Sequence, residues 1–322
     1  MTSRRPDFFI VGAPRSGTTA LFEHLGRHPQ IFVPRTKEPI FFGADEAFPF
    51  SDRHRVTLDE YLALFADAGD ALRVGEGSTT YLYSRTAASE IHDFKPDARI
   101  IIMLRDPIAV MHAQHSGWVS AGRQPIGDFA TALEVQDRQR AGLEPPNPRA
   151  SSSHYRDIVD YANHVGTYFD TFGRERVHVI LFDDWAADTP TEYRKTLEFL
   201  GVDSSFVTEL GVVNPNRRVR SPRLHRLIAE PPTAIQGAAR TVVPARVRRK
   251  LQRLLLALNN RVAPREPLDP AFVATLRTEF APEIERLSAL IGRDLSSWMA
   301  AADDSTVAAR TRDGVPVTTS RP

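Results

Sequence analysis

The 322-residue sequence contains no cysteine. That excludes disulfides, thiolate metal sites and a cysteine nucleophile, and it fits a reducing cytoplasm. No stretch approaches the ~20 apolar residues of a membrane span. The first apolar run, Phe8-Phe9-Ile10-Val11, is too short for the core of a secretory signal. A soluble cytoplasmic chain without a transmembrane segment is therefore expected. Excess charge of one sign is missing as well, with 41 Lys and Arg against 40 Asp and Glu, for a net charge of +1. Bulk charge thus argues against a nucleic-acid partner but leaves room for a local basic site that holds an anion. No His, Asp and Glu cluster has convincing metal-ligand spacing, so no metal is expected.

What is present reads as an α/β protein. Apolar strand-like runs at Phe8–Val11, Ile31–Val33, Arg73–Gly75, Arg99–Leu104 and Val177–Phe182 alternate with helical stretches. Continuous apolar runs such as Ile100-Ile101-Ile102-Met103-Leu104 suit parallel strands buried on both faces. The helical patterns cover Thr18–Arg27, Leu58–Phe65, Ala109–Val119, Asp128–Gln139, Tyr155–Phe172 and Thr191–Leu200. This alternation predicts a three-layer, P-loop-type parallel sheet flanked by helices. The strand pattern stops after Gly211. Residues 1–220 are expected to form the core, 221–300 a helical C-terminal extension of the same domain, and 301–322 a disordered polar tail. The Pro- and Ser-rich stretch Gly142–Ser153 reads as a loop.

The strongest motif is Gly12-Ala13-Pro14-Arg15-Ser16-Gly17-Thr18-Thr19, placed between the first strand and the first helix. Glycines in that context allow the backbone to wrap an anion, and the helix N-terminus faces the same ligand. The spacing is that of a Walker A loop, but Thr18 stands where the lysine of a nucleoside triphosphatase belongs. Arg15 supplies the positive charge instead. A second cation, Arg105, follows the central strand Ile100–Leu104, and Asp106-Pro107 then has the form of a helix start. Ligands of open α/β sheets bind at that strand edge.

The segment Pro14-Arg15-Ser16-Gly17-Thr18-Thr19 resembles the 5′-phosphosulfate loop of sulfotransferases that use 3′-phosphoadenosine 5′-phosphosulfate (PAPS). Lys37-Glu38-Pro39-Ile40-Phe41-Phe42 resembles the Lys-Glu-Pro-x-Phe-Phe segment of carbohydrate-type and bacterial members. The resemblance covers residues 7–220. It implies PAPS as cosubstrate, no metal, and a sulfate acceptor that is a small molecule, lipid or glycan. It assigns Arg15, Ser16, Gly17, Thr18 and Thr19 to the phosphosulfate, Arg105 to the 3′-phosphate and Glu38 to proton removal from the acceptor. Arg15 and Lys37 would stabilise the leaving phosphate. A serine usual in the family is Ala113 here. Ser116, one turn further on, is its expected substitute. Arg217, Arg218 and Arg220 lie in a basic loop, and the resemblance implies that one of the three, with Arg220 the representative choice, closes over the 3′-phosphate of the cofactor. Glu76-Gly77-Ser78-Thr79-Thr80-Tyr81 resembles a stretch that lines the acceptor cleft in relatives.

Phe41 and Phe42 are expected to wall Glu38 and raise its proton affinity. Asp183, after the strand Val177–Phe182, reads as a cap of the next helix or as the metal ligand of a Mg²⁺-dependent P-loop kinase or nucleotide hydrolase. A nucleotide-sensing module without turnover is the rival of another class. The basic amphipathic stretch Arg246–Arg261 reads as a helix that packs its leucines inward, or that touches a membrane surface or an acidic acceptor. Neither the acceptor nor the oligomeric state is legible.

Overall fold

The computed structural model describes residues 4–43, 56–145, 154–210 and 265–300, together with 217–219, 221, 224, 228, 254–255 and 258–262. The chain divides into two compact units. The first comprises Met1–Met111, Ser151–Val213 and Glu279–Met299, and the second His112–Ala150, Asn214–Thr278 and Ala300–Pro322.

The first unit is built on a parallel sheet of β1 (Phe8–Gly12), β2 (Ile31–Phe32), β3 (Arg73–Gly77), β4 (Arg99–Leu104) and β5 (Val177–Leu181). The order is β2-β3-β1-β4-β5, and every pairing is parallel. β1 lies at the centre, and the chain builds outward from it in both directions. All five residues of β1 are buried, as a strand covered on both faces must be. Side chains alternate across the sheet, so Phe8 and Ile10 share one face. There they pack with Leu21, Leu25, Ile101, Met103, Ile180, Leu197 and Leu200. The helices that supply this layer are α1 (Thr18–Leu25) and α9 (Thr189–Leu200). Phe9 faces the other side, where its ring meets Phe42 and, beyond it, Phe94.

Helix α2 (Leu58–Ala63) opens with a complete capping box, in which Thr57 and Glu60 satisfy each other's backbone amides. Helix α3 spans Ala87–Phe94, and α4 (Pro107–Ser120) begins at the expected proline. Asp106 caps α4, accepting from the amides of Ile108 at 2.8 Å and Ala109 at 3.2 Å. Helix α5 (Phe129–Arg140) is capped by Asp128. The single helix expected over Tyr155–Phe172 is two, α6 (Tyr155–Ile158) and α7 (Tyr161–Phe172). Asp160, between them, leaves helical angles with ψ 62°. After β5 come α8 (Phe182–Ala187) and α9.

The sequence pattern ends its strands before residue 211, but the second unit adds an antiparallel pair, β6 (Arg217–Val219) with β7 (Asn260–Val262). Two three-residue strands whose partners lie 41 to 45 positions apart carry no local periodicity, and only their pairing defines them. Helix α10 (Pro270–Ile291) is followed by a 3₁₀ turn at Ser296–Trp298. Arg220, the proline pair at 231–232, the loop tip at 146–153 and the tail from 301 lie outside the described residues, as does most of the basic stretch 246–261. No helix among the described residues is long and apolar enough to cross a membrane.

Gly75 shows how closely this sheet is packed. It pairs with Phe8, and a Cβ at Gly75 would lie 2.2 Å from the Phe8 ring. Gly75→Ala is therefore expected to cost about 3 kcal/mol through overpacking. Thermal unfolding should show a Tm lower by roughly 6–12 °C, with part of the loss recovered by Phe8→Leu in the same chain. An unchanged Tm would mean that the ring moves aside without cost.

Candidate active site

The carboxyl ends of β1, β3 and β4 bring three segments together. The first is the loop between β1 and α1. Gly12 (φ 153°) and Gly17 (φ 88°) both occupy positive-φ conformations that favour glycine. At Gly12 a Cβ would also lie 2.6 Å from Leu82 Cβ, so the loop starts in tight contact with the turn after β3. Gly17 is the N-cap of α1, and no side chain caps the helix. The first-turn amides of α1 consequently point out of the loop toward the sheet edge, where an anion is favoured by both hydrogen bonding and the helix dipole. Ser16 is fully buried, and among the described residues its hydroxyl makes one long 3.4 Å bond, to the Pro14 carbonyl. Thr18 is buried and Thr19 half-buried in the first turn.

Arg15 stands at the exposed tip of this loop with φ 61°. Its carbonyl accepts a hydrogen bond from Arg105 Nη1 at 3.3 Å. The Arg105 guanidinium lies 4.3 Å above the centre of the Phe182 ring, which fixes it beside the loop. Two of the residues predicted from sequence to bind anion thus converge at one strand edge.

The second segment is the loop 37–43. Lys37 Nζ bonds Glu38 Oε1 at 3.0 Å, and Thr79 Oγ1 donates to the same oxygen at 3.1 Å. The Glu38 side chain is 43% exposed, enough to be reached by a substrate, and it acts electrostatically on Arg15. The predicted proton acceptor is thus near enough to the predicted cation for its charge to be felt there. Glu38 (φ 60°) and Ile40 (φ 53°) both sit in the left-handed region, a conformation that persists only where surroundings over-determine it. Here they do. The Glu38 amide donates to the Gly77 carbonyl at 2.9 Å. The Ile40 amide donates to Ser78 Oγ at 3.3 Å. The amides of Phe41 and Phe42 donate to the Tyr81 hydroxyl at 2.9 and 3.3 Å, and that of Gly43 to Glu90 at 2.8 Å. Pro39 has no amide hydrogen to place.

The third segment is Glu76–Tyr83, the end of β3 and a short 3₁₀ turn at Thr79–Tyr83. Its centre is Glu76, with no exposed surface. Tyr61 Oη donates to Glu76 Oε1 at 3.1 Å and Ser78 Oγ to Oε2 at 2.8 Å, and the Tyr81 hydroxyl bonds the same carboxylate. Burial pushes the Glu76 carboxyl up to about 7, against the opposing pull of Ser78, Tyr81, Tyr61 and the Lys37 charge. Because this lies above the ordinary 4.5, the protonated form favours the fold. That contribution is complete below about 4.5 and is lost as the pH rises through about 7. Phe41 stacks on Tyr61 with centroids 4.3 Å apart, and Phe42 packs edge-on against Phe9, Tyr61, Tyr81 and Phe94. The aromatic wall expected beside Glu38 thus joins the cluster around the Glu76 partners. Sequence reasoning singled out the Glu76 stretch but not Glu76 as its hub.

Ser116 lies in the second unit, where its hydroxyl donates to the His112 carbonyl one turn back at 3.0 Å. Of the basic loop, Arg217 and Arg218 contribute backbone to β6. Asp183 does not cap α8, whose N-cap is Leu181; it sits in the first turn. Its Oδ2 accepts the Trp298 indole N–H at 2.8 Å, while Asp184 pairs with Arg293 at 2.6 Å. Both carboxylates tie down the C-terminal residues rather than stand open at the strand edge. Among the described residues, no group of three or more His, Cys, Asp or Glu could hold a metal ion.

A five-stranded parallel sheet with a glycine-bracketed, uncapped loop at the carboxyl end of its central strand is the arrangement of P-loop-like proteins. Residues 6–206 match the sulfotransferase family model, and the chain belongs to that family. A solved sulfotransferase from Alicyclobacillus acidocaldarius is similar over 92% of this chain and 100% of its own, with a TM-score of 0.67 and 30% identity. Human heparan sulfate glucosamine 3-O-sulfotransferase 6 is 32% identical over 200 residues, 62% of this chain and 53% of that protein. Human carbohydrate sulfotransferase 15 is 27% identical over 246 residues, 61% of this chain and 44% of that protein. The chain thus spans about half the length of these curated relatives.

Proposed function

We propose that the protein transfers a sulfuryl group from PAPS to a hydroxyl or amine of a small molecule, lipid or carbohydrate. The observation that carries this reading is that Thr79, which donates to Glu38, also lies against Gly12 of the phosphate-type loop, near enough for the Glu38 charge to act on Arg15. The loop amides, Ser16 and Thr18 hold the 5′-phosphosulfate, and Arg105 the 3′-phosphate. The acceptor oxygen attacks sulfur as its proton passes to the Glu38 carboxylate. The bond from sulfur to the bridging phosphate oxygen breaks, and the electron pair leaves with adenosine 3′,5′-bisphosphate. Arg15 and the loop amides stabilise that leaving charge, and Lys37 holds Glu38 in line. A glycan acceptor is favoured by the names of the relatives, and the solvent-facing position of Glu38 suits an extended substrate.

Calorimetry of adenosine 3′,5′-bisphosphate against ADP and ATP, without metal, tests the donor. The bisphosphate is expected to bind at least tenfold more tightly than ADP, a difference of about 1.4 kcal/mol. Arg105→Ala should abolish the preference. Equal binding of ATP, improved by Mg²⁺, would overturn the reading in favour of a kinase.

A further inference from the structure

We infer that Glu76 is a positioning residue whose buried carboxylate sets the direction of the hydroxyl groups that hold the Glu38 loop. Its effect on turnover rests on the reading of Glu38 as proton acceptor. Its effect on the loop does not.

The inference follows from counting donors and acceptors. A hydroxyl has one hydrogen to give and lone pairs to receive. The Tyr81 oxygen must receive two amides, Phe41 and Phe42, and the Ser78 oxygen must receive that of Ile40. Each hydroxyl can do so only if its own hydrogen points elsewhere. Glu76 supplies that elsewhere, for Ser78 at 2.8 Å and for Tyr81 through the bond to the same carboxylate. Tyr61, from α2, adds a third donor to the carboxylate and stacks on Phe41 of the loop. Tyr168, from α7, donates to the Tyr81 carbonyl at 2.9 Å and fixes the turn itself. An ionised carboxylate accepts from all three hydroxyls. An amide or a protonated acid at the same place presents a hydrogen where the carboxylate presented an acceptor, and where that hydrogen meets Ser78 or Tyr81 the hydroxyl turns its own hydrogen toward the loop amides and repels them. The consequence falls on Ile40, Phe41 and Phe42, two to four residues beyond Glu38.

The groups facing Glu76 are Tyr61, Ser78 and Tyr81, with Tyr168 and the Lys37 ammonium further out. Burial holds the three phenols well above 10, so they stay neutral at working pH. Glu76 is then the group in this cluster whose charge changes near neutrality: protonation relieves the burial of its charge and so favours the fold as a whole, but it removes an acceptor from the hydroxyls, and local order of the loop is expected to fall as the pH drops through about 7.

Hydrogen exchange of the full chain, resolved to single amides, tests this. Glu76→Gln is expected to raise exchange at Ile40, Phe41 and Phe42 together by tenfold or more. Tyr81→Phe should do so at Phe41 and Phe42 but not at Ile40, and Ser78→Ala at Ile40 alone. The double variant Glu76→Gln with Tyr81→Phe should exceed neither single effect at Phe41 and Phe42. In the unmodified protein, protection of the three amides, corrected for intrinsic rates, should fall below pH 7, and this arm needs no substitution that could impair folding. Unchanged exchange in a folded Glu76→Gln chain, or protection independent of pH, overturns the inference. In a transfer assay, Glu76→Gln should lower kcat about tenfold with donor affinity preserved. Altered loop exchange in a chain whose unmodified form transfers no sulfuryl group would sink the proposed function and leave the positioning role standing.

Discussion

Glu38→Gln is expected to lower kcat for sulfuryl transfer by about 10²–10⁴-fold, the usual worth of a general base. Affinity for adenosine 3′,5′-bisphosphate should stay within about twofold, because the substitution is nearly isosteric and removes no contact to the donor. The geometry supports both halves. Both hydrogen bonds to Glu38 among the described residues, from Lys37 and Thr79, fall on Oε1. Oε2 is then the oxygen available to an approaching hydroxyl, and the 43% exposure of the side chain leaves it accessible. The backbone below is fixed by five amide bonds, so the carboxylate is held in place before substrate arrives. Stopped assays of transfer to a panel of acceptor hydroxyls, beside calorimetry on the same samples, measure the two quantities. Loss of bisphosphate binding together with turnover would place Glu38 in the donor pocket instead. Full binding with no product from even the unmodified chain would favour the nucleotide-sensing module.

Arg15→Ala is the second large effect. Removing one preorganised donor from a developing anion costs about 3–4 kcal/mol, or roughly 10²–10³ in kcat. Arg15 fits that role because its side chain stands at the exposed tip of the loop while its backbone is pinned. The residue occupies φ 61°, and its carbonyl is held by Arg105. The charge also lies near Glu38, so removing it alters the electrostatics of proton transfer. Arg15→Lys should recover part of the loss, since charge matters more than the guanidinium fork at a single departing oxygen. Steady-state kinetics separates the outcomes. A fall in kcat and kcat/KM together marks an interaction made in the transition state, whereas a change in KM alone marks uniform binding and removes Arg15 from the chemistry.

The core of this protein was written plainly in its sequence. Ile100–Leu104 and Phe8–Val11 are continuous apolar runs because their strands are covered on both faces, and β1 to β5 begin at the residues expected. The phosphate-type loop was equally legible, since glycine spacing, a preceding strand and a following helix are all local features. Glu38 was singled out through a short motif whose residues are contiguous. The β6–β7 pair escaped notice because its partners are 41 to 45 positions apart and too short to show a period. The division of Tyr155–Phe172 into two helices escaped because the apolar spacing continues across Asp160.

Glu76 marks the boundary between the two kinds of information. A glutamate at a strand end, next to glycine and serine, reads as a polar turn, and nothing nearby announces that it is buried. Its burial is created by Tyr61, 15 residues earlier on α2, by Tyr81 on the following turn, and by the aromatic cluster that Phe41 and Phe42 complete. The sequence by itself determined the parallel sheet, the loop at its centre and the chemical types of Arg15, Arg105 and Glu38, because those depend on near neighbours and on hydrophobic pattern. Only the tertiary structure decided which carboxylate is exposed and which is buried, and which hydroxyls hold the loop. Desolvation and hydrogen-bond direction depend on groups brought together from distant parts of the chain.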